Sequence, residues 1–362
     1  MTEWKTYKLS EITIMRNGKK RPSTKGCYPV YGGNGIMDYA DCFNAINTII
    51  VGRVGAYCGN VCQCKGKCWV SDNAISVSAN EFADNDYLYY LMTSLDFHHH
   101  HIGGAQPLMT QDIIGGFEIS LPPLEEQRRI AGILGAIDDK IECNRRINAN
   151  LESQAQALYK QWFVDNRSDD WEEIKLSDIL EIHKKTITPS QTPNTIFEHY
   201  SLPAFDDGRN PTYESGDKIK SSKFVIEDDM FLFSKLNPRI KRLWLPCIQT
   251  ENAICSTEFV AYKPKDISML AFCYSVVDSV EFYDFVLSLT NGSTGSHQRF
   301  HPIDTLEYSL KVPHMEVIKK FNAIVSHMYE QISKNIIENR NLATLRDTLL
   351  PKLMNGEIKI DE

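Results

Sequence analysis

The sequence predicts two α/β (α+β) modules separated by two long α-helices that pair antiparallel as a coiled coil. Three observations predict this. First, the chain repeats itself. Trp4, Leu9, Ser10, Glu11 and Ile12 recur 167 positions later as Trp171, Leu176, Ser177, Asp178 and Ile179. Asp72-Asn73-Ala74-Ile75 returns as Glu251-Asn252-Ala253-Ile254, shifted by 179, and a block from Pro122 returns from Pro313, shifted by 191. A growing offset marks one unit duplicated and then lengthened by insertion, and the period far exceeds the roughly 20–50 residues of a solenoid. Second, each copy ends in a long heptad-patterned segment. Third, each copy begins with short apolar runs bounded by glycine and polar turns. The predicted organisation is a first module over 1–120, a first helix over 121–165, a second module over 166–310, and a second helix with its tail over 311–362. Two look-alike modules on two helices imply a two-part target.

The helices follow from spacing. Between Leu124 and Phe163 there is no proline, and positions 130, 134, 137, 141, 144, 148, 151, 155, 158 and 162 form a stripe spaced alternately by four and three. That is a seam which keeps one face against a partner helix. Adding 191 gives Phe321, Val325, Met328, Ile332, Asn335, Asn339, Leu342, Arg346, Leu349 and Leu353, with Arg346 the single charged member. Asn144 and Asn148 sit at the middle of the first stripe, and Asn335 and Asn339 at the middle of the second. Antiparallel pairing sets Asn144 against Asn339 and Asn148 against Asn335. Other registers bury an amide against Leu or Ile unsatisfied, at about 1–3 kcal/mol. A bland alternative leaves the four Asn partly exposed and neutral. Each seam covers roughly 50 Å at 1.5 Å per residue, so antiparallel pairing is expected to carry the modules at opposite ends of a rigid ruler. Pro351 is expected to kink or end the second helix before Leu353.

In the first module, Asn47 to Gly55 reads as a buried strand ended by glycine, Val61 to Trp69 as a hairpin around Lys65-Gly66-Lys67, and Asp86 to Ser94 as a helix. In the second, Met230 to Phe233 reads as the matching strand and Ile267 to Leu289 as a helix. Basic residues gather in corresponding places: Arg16, Lys19, Lys20, Arg21 and Lys25 after the first LSEI, and His183, Lys184 and Lys185 after the second LSDI. Arg53 ends the first apolar strand; Lys235, Arg239, Lys241 and Arg242 follow the second. Loops rich in Gly, Asn and Gln lie nearby, at Tyr31 to Gly35 with Asn34, Gly103 to Gln106, and Gly292 to Arg299 with His297 and Gln298. Arg, Asn and Gln make bidentate contacts to base edges, and Gly lets backbone approach phosphate. One basic loop is ordinarily a solvated face; recurrence in both copies raises the DNA reading.

Composition sets bounds. The 362 residues are 42% hydrophobic and 24% charged, with a net charge of −8, which disfavours phosphate binding unless the cations cluster. No 18-residue apolar stretch and no signal-peptide core is present, so a cytoplasmic chain with no membrane partner is expected. Ten cysteines there are expected as free thiols.

These features converge on a family. The whole chain resembles the specificity subunit of Type I restriction-modification systems. The likeness is carried by YPVYGGNGIMDY (28–39), TIIVGRVGAYCGNV (48–61), WVSDNAISV (69–77), LPPLEEQRRIAGILGAIDDKIECNRRIN (121–148) and LRDTLLPKLMNGEI (345–358). The resemblance implies two target-recognition domains, each reading one half of a split asymmetric site in double-stranded DNA. It also implies spacer helices that set the gap and dock two methyltransferase subunits, with restriction/translocase subunits joining through them. One departure is that the second helix starts VPHMEVIKKF, without the EEQRR of the first. S-adenosylmethionine and ATP are then expected on partner subunits only, with no cofactor on this chain. On this reading the half-sites lie on one side of B-DNA, roughly one to one and a half turns apart, one turn being about 34 Å.

Catalytic signatures are missing. Leu121-Pro122-Pro123-Leu124 lacks the polar lead and the aromatic of amino-methyltransferases, and no phosphate-binding loop is present. Cys58, Cys62, Cys64 and Cys68 have an unusual spacing for zinc and read better as strand positions. His98 to His101 reads as a polar helix end or loop with adventitious metal affinity at most. The rival function is a coiled-coil protein-interaction scaffold that reads no DNA, favoured by the acidic total.

Overall fold

The computed structural model describes residues 4–103, 107–290, 298–358 and 360. The chain divides into two compact units, Met1–Glu142 with Asn339–Glu362, and Cys143–Glu338. Each unit therefore holds one module and part of both long helices, so the helices are built into the modules' own cores.

In the first unit the elements are β1 (Lys5–Lys8), α1 (Leu9–Ile12), β2 (Thr13–Asn17), β3 (Tyr28–Gly32), β4 (Gly35–Ala40), β5 (Ala45–Gly52), β6 (Val61–Val70), β7 (Ala74–Ala79), α2 (Asn85–Ser94), α3 (Gln111–Gly115), β8 (Glu118–Leu121) and the long helix α4 (Leu124–Tyr159). A six-stranded sheet runs in the order β2-β7-β5-β6-β3-β4, and β1 pairs with β8. β5 is covered on both faces, which is why it reads as an unbroken apolar run. Ile49 and Val51 join Tyr87, Leu88 and Met92 of α2 in one cluster, while Ile50 packs with Cys64, Cys68 and Val70. Asp84 caps α2 by accepting from the amides of Asp86 and Tyr87.

The second unit adds β9 (Glu172–Lys175), α5 (Leu176–Ile179), β10 (Leu180–His183), β11 (Thr186–Ile187), β12 (Ile196–Tyr200), α6 (Leu202–Asp206), β13 (Thr212–Ser215), β14 (Lys223–Val225), β15 (Phe231–Ser234), β16 (Leu243–Trp244), β17 (Ala253–Ser256), β18 (Phe259–Pro264), α7 (Leu270–Asp278), α8 (Val280–Ser288), β19 (Ser309–Val312) and α9 (Met315–Met354). Its strands split into a four-stranded sheet, β10-β18-β15-β16, and a five-stranded sheet, β11-β14-β17-β12-β13; β9 pairs with β19.

The duplication holds bond for bond. Lys8 N–H donates to the Glu11 carboxylate at 2.7 Å and Lys175 N–H to that of Asp178 at 2.8 Å. Leu9 N–H donates to Phe117 O at 2.9 Å, and Leu176 N–H to Tyr308 O at 2.8 Å. Met15 pairs with Val77 and Ile49 with Val77; Ile182 pairs with Tyr262 and Phe231 with Tyr262. The sheet β2-β7-β5-β6 is thus repeated as β10-β18-β15-β16, and the second copy's insertion carries β11 to β14. One of the three sequence matches is corrected by this register. Val77 corresponds to Tyr262 on β18, so Asn252-Ala253-Ile254, which opens β17 in the other sheet, is no counterpart of Asn73-Ala74-Ile75 on β7. Both segments share a turn running into a strand, and that local likeness produced the match.

Three further expectations are corrected. Val61 to Trp69 is one strand and not a hairpin. Register steps from Thr48↔Cys64 to Ile46↔Lys67, so Lys65 and Gly66 form a bulge opposite Asn47, whose φ is +44°. The helix expected over 267–289 breaks at Ser279, which is extended and caps α8 by accepting from Phe282 N–H at 3.2 Å. Of the two outcomes expected at Pro351, a kink or an end, the end before Leu353 does not occur: the helix runs on to Met354, and Asn355 N–H closes back on Pro351 O at 3.1 Å.

Within each unit α4 and α9 run antiparallel. In the second, Asn335 Nδ2 donates to Asn148 Oδ1 at 2.7 Å, as the seam requires, and Asn144 Nδ2 donates to Glu338 Oε2 at 2.8 Å. In the first, Asn339 Nδ2 donates to Ile141 O at 3.3 Å, and Arg346 Nη1 meets Asp138 at 2.8 Å. Every seam position is buried or half-buried.

Candidate nucleic-acid interface

The strand-end loop after β5 and the one after β15 are built on the same frame. Gly52 N–H donates to Asn60 O at 2.8 Å, and Ser234 N–H to Arg242 O at 2.9 Å. Arg53 N–H donates to Asn73 O and Lys235 N–H to Glu258 O, both at 2.9 Å. Gly55 N–H reaches Pro107 O at 3.3 Å, and Asn237 N–H reaches Gln298 O at 2.9 Å. Gly55 and Asn237 both take left-handed φ, +74° and +49°. That conformation is open to Gly and, among the rest, best tolerated by Asn. Each then closes a turn, Cys58 N–H onto Gly55 O at 3.0 Å and Ile240 N–H onto Asn237 O at 2.9 Å. Bridges Val54↔Leu108 and Leu236↔Arg299 tie the loop to a second one in each unit. GRVGAYCGNV (52–61) and SKLNPRIKRL (234–243) are therefore equivalent position by position, although only the flanking apolar residues look alike.

In the first unit this frame gathers most of the predicted residues. Asn60 Nδ2 donates to Gly33 O at 2.9 Å, which ties the glycine loop carrying Asn34 to the loop of Arg53. Ser71 N–H donates to Tyr31 O at 2.9 Å and Lys19 N–H to Val70 O at 3.0 Å, placing the 19–21 segment alongside. Lys19, Lys20 and Asn34 are exposed and Arg53 is half-buried. Arg21 is held 3.5 Å from Asp38. Burial first, then the Cys64 and Cys62 thiols, push the Tyr31 phenol far above its ordinary value. Gln106 lies outside the described residues.

In the second unit several predicted cations are already neutralised. Arg242 grips Asp206 with two bonds, at 2.7 and 2.9 Å. Arg299 grips Glu258 with two at 3.1 Å, and this partner holds its guanidinium charge. Lys241 pairs with Asp278 at 2.6 Å. These three brace the loop. Lys184, Lys185 and Arg239 are exposed and Lys235 is half-buried. Lys184 and Lys185 follow β10 directly, and Gln298 is joined to Asn237 through its carbonyl. His297 lies outside the described residues.

Sequence reasoning missed Tyr57 and Asn60. Tyr57 is the counterpart of Arg239, second of the two central residues in each turn, and is 50% exposed. The only signal was the local offset of 182 that aligns the two loops, too weak in identity to see unaided. Beside Tyr57, an open cleft of about 320 Å³ is lined by Gly59, Asn60, Thr93, Asp96 and His98. In the second unit a cleft of about 160 Å³ is lined by Lys241, Leu243 and Asp278 among others, and Lys241 pairs with Asp278 in its wall. His98 lies within a short helical turn, Phe97–His99, with Nδ1 at 2.9 Å from Cys58 O. Burial pushes the Cys62 thiol up to about 11, and among the described residues no three His, Cys, Asp or Glu side chains converge as a metal cage. Among the described residues, no helix is long and apolar enough to cross a membrane.

Residues 1–153 match the family described as the Type I restriction modification DNA specificity domain. The chain is similar to the MjaIX Type I restriction enzyme specificity subunit of Methanocaldococcus jannaschii, 25% identical over 319 residues, covering 77% of this chain and 70% of that one. It is similar also to the HindI specificity subunit of Haemophilus influenzae, 24% identical over 334 residues, covering 70% of this chain and 72% of that one. Its fold is that of the Type I restriction-modification S subunit from M. genitalium, with a TM-score of 0.63 at 17% identity over 99% of this chain and 97% of that one. The N-terminal 153 residues thus match the specificity-domain family, and over most of its length the chain is similar to specificity subunits of Type I restriction-modification systems.

Proposed function

We propose that the chain is the non-catalytic reader of a bipartite, asymmetric DNA target. The carrying observation is the duplicated loop frame, which offers two similar but differently furnished surfaces. In the first module Lys19, Lys20, Arg53 and the loop of Tyr31 and Asn34 meet one half-site; in the second Lys184, Lys185, Lys235 and Arg239 meet the other. Exposed Lys and Arg supply phosphate attraction, and loop side chains supply base-edge contacts. The paired helices fix the gap between half-sites and dock two methyltransferase subunits, which bring restriction/translocase subunits with them. S-adenosylmethionine and ATP bind those partners and not this chain, and the assembly works in the cytoplasm. With a net charge of −8, the chain alone binds weakly, and methyltransferase subunits clamping the duplex make binding tight. A scaffold that reads no DNA rests on that net charge alone.

Mapping methylated sites in the host genome tests this reading. A split motif of two short blocks with a constant gap is expected, lost when the gene is deleted. A single contiguous motif that depends on this chain contradicts it. So does equal sequence-specific affinity with and without methyltransferase subunits.

A further inference from the structure

The two loop tips present different chemistry at the same backbone position of the shared frame. Tyr57 and Arg239 each follow the first central residue of a turn closed by an equivalent hydrogen bond, Cys58 N–H to Gly55 O and Ile240 N–H to Asn237 O. The frame is stiff on both sides of each tip. A Cβ on Gly52 would fall 2.0 Å from Tyr57 O, so the Tyr57 carbonyl rests directly on the β5 backbone. In the second unit Pro238 precedes Arg239 and fixes its own φ. Tyr57 is half exposed, and among the described residues its ring stacks on no other ring. The cleft of about 320 Å³ lies against it. A half-exposed phenol ring on a braced turn, with no other ring stacked on it among the described residues, is poised to lie against another flat surface. Bases offer one, through stacking or as a wedge at a base step.

We propose that Tyr57 is a specificity-determining residue of the first module, laying its ring against a base step of its half-site, whereas Arg239 at the same position of the second module presents a cation to the other half. This rests on the DNA-reading function proposed above. The two halves would then differ in kind, one governed by base-step shape and stacking and the other by charge.

The test uses the chain assembled with its methyltransferase partners on duplexes carrying both mapped half-sites, with affinity measured across a salt series. Tyr57→Ala is expected to weaken cognate binding about tenfold with an unchanged salt slope, and Tyr57→Phe to stay within about twofold. Arg239→Ala is expected to lower the salt slope by about one. Scrambling the first module's half-site should abolish the Tyr57→Ala penalty, whereas the Arg239→Ala penalty, set by phosphate charge, should persist when either half is scrambled. Thermal midpoints should stay at the wild-type value for all three, since both tips are exposed. Wild-type affinity for Tyr57→Ala, a salt slope altered by it, or equal loss in Tyr57→Phe overturns the proposal while leaving the DNA-reading function intact. A wild-type complex with no sequence preference overturns both.

Discussion

The two modules differ least in main chain and most in what the main chain carries. From β5 into the turn after it, the first module keeps one cation, Arg53, and fills the rest with Gly, Ala, Tyr, Cys and Asn. The second puts Lys235, Arg239, Lys241 and Arg242 on the same frame, then ties two of the four to Asp278 and Asp206. A count of basic residues therefore overstates the second module's positive surface. After pairing, each loop is left with a comparable small number of cations. Duplication preserved the geometry that aims a loop, and divergence changed the tip. That is the pattern expected where the scaffold must stay fixed and the target must vary.

The sharpest way to break the comparison exchanges the residues that open the two loops. Gly52 has no room for a side chain against Tyr57 O, whereas Ser234 uses its hydroxyl to hold Leu236, accepting from its N–H at 3.2 Å and donating to its O at 3.0 Å. Gly52→Ser is expected to destabilise the chain by about 2–3 kcal/mol through overpacking, and Ser234→Gly by about 1 kcal/mol through lost hydrogen bonds. Denaturant unfolding of the full chain reads both. Equal, small effects would mean the two loops are not held as differently as their first residues require. Next in size is the helix seam. Asn335 is buried between Asn148 and Gln331, with bonds at 2.7 and 2.8 Å. Asn335→Leu should cost about 1–3 kcal/mol, and adding Asn148→Leu should recover much of it. The other end of the seam relies on Arg346 with Asp138, both partly exposed, so Arg346→Leu should cost about 1 kcal/mol or less. A double mutant that loses as much as its singles added together would show that the Asn pair does not act as a pair.

Periodicity made the helices legible, because burial of a stripe is a local, repeating demand that the chain must write down residue by residue. The Asn148–Asn335 pairing followed from symmetry of the seam alone. Strand pairing was less legible. Asn73-Ala74-Ile75 and Asn252-Ala253-Ile254 share turn chemistry yet enter different sheets, since sheet membership is settled by distant partners such as Phe231 and Tyr262. The motif LEEQRR shows a similar limit. Gln127 within it is buried, accepting from Asp84 N–H at 2.8 Å and donating to Pro122 O and Phe82 O at 2.9 and 3.2 Å. Its counterpart is Ile318, buried in the second unit's core. At least that part of the difference between the two helix starts concerns how each helix joins its module. In the candidate interface, residue type was legible and availability was not: nothing in the spacing of Arg242 or Arg299 announces Asp206 or Glu258.

The smallest expected effect separates bracing cations from reading cations. Arg242 is 11% exposed on its side chain and bidentate to Asp206, and Arg299 is bidentate to Glu258, the residue whose carbonyl holds Lys235. Arg242→Ala and Arg299→Ala should each lower stability by up to about 1 kcal/mol, because both ion pairs face solvent on one side. Neither should change the slope of log affinity against log salt by as much as one, since a guanidinium already committed to a carboxylate releases few counterions from DNA. Lys184→Ala or Lys235→Ala should do the reverse, lowering the slope by about one and leaving stability within about 0.5 kcal/mol. The ordering is what matters. If Arg242→Ala flattens the salt dependence as much as Lys235→Ala does, the Asp206 pair opens on binding, and the second module then reads its half-site with more charge than its unbound form displays.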